Sequence, residues 1–124
     1  MKHVDLSSIK SADSFCKMLD LQEVDSRIKS SSQRLVNRIN EDLGWNIKGK
    51  GSQVFAFYLH LLAKNFVSFC LTSDDGLKSG YKLCVESCYR NIKDSQLFIE
   101  HAHLIELPSW IPKSPSFIQR HGNR

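Results

Sequence analysis

Proline is missing from the first 107 residues: Pro108, Pro112 and Pro115 all follow Leu107 in this 124-residue chain. Nothing in the body of the chain therefore forces a break in helix or strand, whereas the last stretch cannot sustain either. Long apolar runs are also scarce. The most apolar stretch, residues 54–63, carries His60 and is about half of the roughly 20 residues a membrane helix needs. On this reading no membrane partner is expected. No apolar run follows Met1-Lys2-His3, so no secretory signal is read and the protein is expected to be cytoplasmic. Cysteine is limited to Cys16, Cys70, Cys84 and Cys88, mostly among apolar neighbours. In a reducing compartment these read as small buried thiols and not as two disulfides. There is no internal repeat and no low-complexity tract beyond Ser30-Ser31-Ser32, and no motif identifies a family.

What is present fits one globular domain. The length allows burial of roughly two thirds of the unfolded surface. An apolar fraction of 41% with 24% charged residues argues against wholesale disorder. The net charge of +4 permits acidic partners without requiring them.

Apolar spacing predicts a short helix capped by Ser11, with Phe15, Cys16 and Leu19 on one face. A longer helix is read from Leu21 through Val24, Ile28, Leu35, Ile39 and Leu43, with Gly44 as its left-handed stop. Beyond Gly44 the pattern reads as alternation. Phe55, Phe57, Leu59 and Leu61 suggest a strand, residues 63–65 a turn, and residues 66–72 a hairpin partner. Ser73-Asp74-Asp75-Gly76 is a turn signal, followed by a strand through Tyr81, Leu83, Val85 and Tyr89 and a last strand over residues 97–107. Helices over residues 52–71 and 80–89 are the competing reading. The expected fold is α+β: two N-terminal helices on one face of a four-stranded antiparallel meander. The domain spans residues 1–107, with a proline-punctuated tail over 108–124.

Four constellations bear on chemistry. Gly44-Trp45-Asn46-Ile47-Lys48-Gly49-Lys50 matches the start of the phosphate-cradling pattern GxxxxGK[ST], but Gly51 takes the place of the hydroxyl and Ser52 comes one position late. Because it follows a helix and is read as leading into a strand, the loop is taken as an ordinary connection. Cys84, Cys88, His101 and His103 have zinc-binding side chains, but strand geometry separates the two cysteines by roughly 13 Å, so no metal is expected. Only a helix would bring that pair together.

Arg27, Arg34 and Arg38, with Lys48 and Lys50 and a basic tail bearing Lys113, Arg120 and Arg124, form a candidate track for nucleic-acid phosphates. Tyr58, Tyr81, Tyr89 and Trp110 are candidate stacking surfaces. Cys70, His60 and Asp74 or Asp75 supply the types needed for nucleophilic catalysis without a distinguishing order, and Glu100 and Glu106 flank the two histidines. No catalytic residue and no cofactor is assigned.

The leading expectation is a non-enzymatic module that binds a protein or a second copy of itself. Trp110, Phe117 and Ile118 of the tail are its anchors, because tryptophan carries a large share of interface energy. Nucleic-acid binding is the first alternative, and a small-ligand pocket under the sheet is the second.

Overall fold

The computed structural model describes residues 1–19 and 28–111, with side chains described from residue 32 onward in the second stretch. In chain order the elements are β1 (Val4–Asp5), α1 (Ile9–Leu19), α2 (Ile28–Leu43), α3 (Ser52–Leu71), α4 (Asp75–Ile92), α5 (Gln96–His101), a 3-10 turn (Ala102–Leu104) and β2 (Ile105–Glu106). Helix α3 is the centre. It packs most extensively on α4, and α1 and α2 also lie against it.

The four-stranded antiparallel meander is not what forms. Among the described residues the only sheet is a parallel pair, with Val4 opposite Ile105 and Asp5 opposite Glu106. The segment read as a strand hairpin is the single helix α3. From Val54 to Ala63 its residues are apolar at every position but His60, so alternation and helical periodicity are satisfied at once. Length decides: a proline-free run of 20 residues propagates one helix, and Ala63-Lys64-Asn65 continues it without turning. The burial of Phe55, Ala56, Leu59, Leu62, Ala63, Phe66 and Val67 covers a wide arc of the helix, because three helices pack around it.

Residues 81–89 are helical for a related reason. Val85, Cys88, Tyr89 and Ile92 recur at three- and four-residue spacing and are the buried ones. Asp74 starts this helix by accepting a hydrogen bond from the Leu77 amide at 2.9 Å. The predicted last strand is mostly α5, capped by Ser95, whose hydroxyl accepts from the Phe98 amide. Only Ile105 and Glu106 are extended.

Helix α3 also corrects the reading of the apolar runs. At 20 residues and a mean hydropathy of 1.6 it is long and apolar enough to cross a membrane, by length and composition only. In this fold 44% of that apolar window is buried, with α1, α2 and α4 packed against the helix. Two N-terminal expectations hold: Phe15, Cys16 and Leu19 are buried on α1, and Gly44 ends α2 at φ 67°; Ser11, expected as the cap of the first helix, instead lies inside α1, which starts at Ile9. The positions of Leu21 and Val24 lie outside the described residues.

The N-terminus and the loop after α2 are tied to this core by backbone acceptors. The Trp45 indole N–H donates to the Lys2 carbonyl at 2.7 Å, and the Lys2 amide donates to the Leu43 carbonyl. Trp45 is fully buried and stacks on His101, which also meets Phe55.

Candidate functional site

The loop over residues 44–51 is shaped by four left-handed residues: Gly44, Asn46, Gly49 and Gly51. At Gly49 and Gly51 a Cβ would meet nothing within 4 Å, so glycine is needed there for its positive φ of 87° and not for space. Asn40 on α2 clamps the loop at two points. Its amide N–H donates to the Ile47 carbonyl at 2.8 Å, and its oxygen accepts from the Ile47 amide at 2.7 Å. The loop then opens α3. This overturns the expectation that the glycines lead into a strand: Gly49-Lys50-Gly51-Ser52 stands at the start of a 20-residue helix.

A cleft of about 480 Å³ lies between α2 and this loop, lined among others by Asn37, Lys48, Lys50, Ser52 and Gln53. No carboxylate lines it. An amide chain crosses one side, in which Gln53 donates to Gln33 at 2.9 Å and Gln33 donates to Asn37 at 3.1 Å. Sequence reasoning picked out Lys48 and Lys50 but missed Ser52, Asn37 and Gln53. The signal available for Ser52 was the late hydroxyl after Gly49-Lys50-Gly51.

Of the described members of the basic track, Lys48 and Lys50 line the cleft and Arg34 and Arg38 do not. At about 100° per helical residue, Arg34 and Arg38 sit on the flank of α2 away from Gln33 and Asn40, which face the cleft. Arg38 is paired with Asp42 at 3.2 Å. Arg27 lies outside the described residues, as do Lys113, Arg120 and Arg124.

The tail anchor is turned inward. Trp110 is half-buried against Phe66 and Phe69 of α3, and the Lys82 ammonium of α4 stands 5.2 Å from its ring centroid. Lys78 covers Phe69 in the same way at 4.9 Å. Pro108 and Ile111 are buried beside it, so residues 108–111 pack on the helical body. Phe117 and Ile118 lie outside the described residues. Of the candidate stacking rings, Tyr89 is buried edge-on to Phe98, Tyr58 is half-buried beside Phe57, and Tyr81 is half-buried.

The helix that zinc binding required does form, yet the four ligands do not converge. Cys88 faces the core and Cys84 faces out. His101 is committed to the core: its Nδ1 and Nε2 lie 2.8 and 3.1 Å from the carbonyl oxygens of Leu97 and Trp45, leaving neither nitrogen for a metal. His103 is exposed. Among the described residues no three such groups come together.

The four cysteines are likewise not all core thiols, since Cys16 and Cys88 are buried while Cys70 and Cys84 are exposed. Burial pushes the Cys88 thiol up to about 11, with Cys84 adding a smaller push. Partial burial also raises the thiol of Cys70, against the opposing charge of Lys78.

The catalytic trio is not assembled either. His60 and Cys70 lie ten residues apart on α3, roughly 15 Å along its axis, and Asp74 is occupied as the cap of α4. Glu106 is exposed in β2, and Glu100 accepts from Gln96. Among the described residues the only sheet is the two-residue β1–β2 pair, and the expected broad sheet over a small-ligand pocket is not there. A second hollow of about 420 Å³ instead lies beside α1, with Val4, Phe15, Met18 and Leu43 among its lining and His3 and Lys10 exposed at its rim.

One more surface is unassigned by the sequence reading. On α4, Lys78, Lys82, Glu86 and Arg90 follow at four-residue intervals and so share one flank. About a third of the circumference, from Leu83 through Ser87, Gly80 and Cys84 to Leu77, carries no charge. All five residues are exposed, Leu83 at 63% and Leu77 at 56%.

No protein-family model matches the chain, and neither the curated proteins nor the solved structures give a match.

Proposed function

We propose that this chain is a binding module that acts through protein–protein contacts, with the uncharged outer face of α4 as its contact surface and a second copy of the chain as its partner. The carrying observation is the pairing of exposed Leu77 and Leu83 across a face on which α4 places no charged residue. Exposed leucines occur singly on any protein surface, but a charge-free helix face between two of them is a packing surface. Gly80 and Ser87 at its middle allow a close backbone approach, and the leucines at its edges supply apolar area.

A second copy suits such a face because a two-fold contact sets the same patch against itself. Any charge there would meet its like. Burying a leucine fully stabilises by about 1.5–3 kcal/mol, so four leucines across a two-fold contact supply the gross driving force of a modest dimer. This reading moves the anchor from Trp110, which serves the helical body, to Leu77 and Leu83.

Sedimentation velocity over a wide concentration range tests it. Self-association is expected, and Leu77→Glu with Leu83→Glu should abolish it while leaving the far-ultraviolet circular dichroism spectrum unchanged. A wild-type chain that sediments as a monomer throughout would refute the homodimer.

A further inference from the structure

A hollow with an apolar inner side and a rim of cations and hydroxyls suits one class of small molecule, an apolar tail that ends in an acid. The hollow of about 420 Å³ beside α1 has that composition. Val4 of β1, Phe15 of α1 and Leu43 at the end of α2 are buried in the core and form its inner side. Met18 is half-buried beside them, and its unbranched thioether can repack around a guest. Lys10, Ser11 and Ser14 are exposed at the rim, together with His3.

Helix α1 sets these groups in order. Lys10, Ser14 and Met18 recur every four residues and stand one above another along a single flank, with Ser11 and Phe15 one position on. The flank changes from cationic and hydroxylic at its start to apolar at its end. Lys10 and Met18 are roughly 12 Å apart along the axis, the length of an extended medium-chain acid.

The charge pattern sets the sign of the guest's head group. No carboxylate lines the hollow. Lys17 of the same helix is neutralised by Asp13 at 3.2 Å, whereas Lys10 has no carboxylate partner among the described residues. Asp5, next to Val4, is engaged by the amide and hydroxyl of Ser7. An anionic head group therefore meets a cation here that the fold has not already paired.

We propose that this hollow binds a medium-chain fatty acid in its carboxylate form. The alkyl tail lies over Phe15, Met18 and Leu43, and the carboxylate meets the Lys10 ammonium, with the Ser11 and Ser14 hydroxyls as further donors. Covering apolar surface with the tail supplies the driving force, and the charged head group fixes its direction. The volume is within the range of small-molecule pockets. The site is built from β1, α1 and the end of α2, so it stands or falls independently of the outer face of α4.

The test is amide-resolved NMR of the full chain titrated with octanoate, 1-octanol and octylamine, which share a tail and differ in head group. Octanoate should shift the Lys10, Ser11, Ser14, Phe15 and Met18 resonances in a saturable way. 1-Octanol should bind about tenfold more weakly, the loss expected when a hydrogen bond to a charged group is removed, and octylamine more weakly still. Lys10→Glu, at an exposed position, should weaken octanoate by about tenfold and leave 1-octanol unchanged. Met18→Ser should weaken both, with unmoved core resonances showing that each variant is folded. Equal affinity for octanoate and 1-octanol, or octanoate binding that ignores Lys10→Glu, would overturn the proposal. So would resonances that move with anionic phospholipid vesicles but not with millimolar octanoate, which would make this face a membrane contact instead.

Discussion

Helices α3 and α4 are neighbours of similar length, yet they solve opposite problems. Between Ser52 and Leu71 the only side chain charged at neutral pH, with histidine neutral, is Lys64, and half of the apolar positions are buried, with α1, α2 and α4 packed against the helix. Helix α4 carries five charged residues and makes its main contact on one side alone, with α3. The apolar excess of α3 is thus explained by the core of this chain. The smaller excess of α4 is not, because Leu77 and Leu83 face away from everything described. A residue's hydrophobicity is informative about partners only after the fold has used what it needs.

The sharpest way to break this comparison is to shorten one leucine on each helix. Leu62 of α3 is fully buried, so Leu62→Ala should cost about 2–5 kcal/mol from lost transfer and a cavity. Leu83→Ala on α4 should change the stability of the dilute, monomeric chain by no more than about 0.5 kcal/mol. Urea unfolding at low protein concentration measures both. A large loss at Leu83 under those conditions would place it in this chain's own core and remove the contrast.

The same contrast explains what could be read from sequence. Elements bounded by a chemical stop were legible: the spacing of Phe15, Cys16 and Leu19 located α1, and Gly44 marked the end of α2. The central helix was not, because apolar residues such as Val54, Phe57, Leu61 and Leu71 continue beyond its buried arc and blur the helical period. Residues 80–89 were ambiguous for a different reason, since Tyr81, Leu83, Val85 and Tyr89 alternate while Val85, Cys88, Tyr89 and Ile92 follow helical spacing. Arg34 and Arg38 could not be placed relative to Lys48 and Lys50, because sequence separation along a helix does not show on which flank they fall relative to a loop that folds back on it. Lys48 and Lys50 were found because a loop between glycines leaves lysines little choice but the surface. Ser52 was passed over because its place beside the cleft depends on the loop opening a helix.

A smaller effect tests the start of α4, where Asp74 caps the helix without help from burial. Asp74→Ala should cost about 1 kcal/mol, while Asp74→Ser should recover most of it, because serine is also a good cap. Equal losses for the two variants would show that the Leu77 amide is satisfied in some other way.

The smallest expected effect comes from two cysteines one turn apart on α4, and it sharpens the comparison within a single helix. Cys84 is exposed, whereas Cys88 is buried and its thiol is pushed up to about 11 from 9.0, chiefly by burial. Below pH 9 the thiol is protonated whether the chain is folded or not, and its packing contribution is fully present. Between about 9 and 11 the unfolded chain releases the proton and the folded chain retains it, so stability falls as pH rises through this window. Cys88→Ala should therefore be less stable than wild type at neutral pH but lose less stability between pH 8 and 10.5. Parallel slopes for wild type and Cys88→Ala would mean that Cys88 ionises in the folded chain as freely as in the unfolded one. Its side of α4 would then be as open as the face proposed for contact.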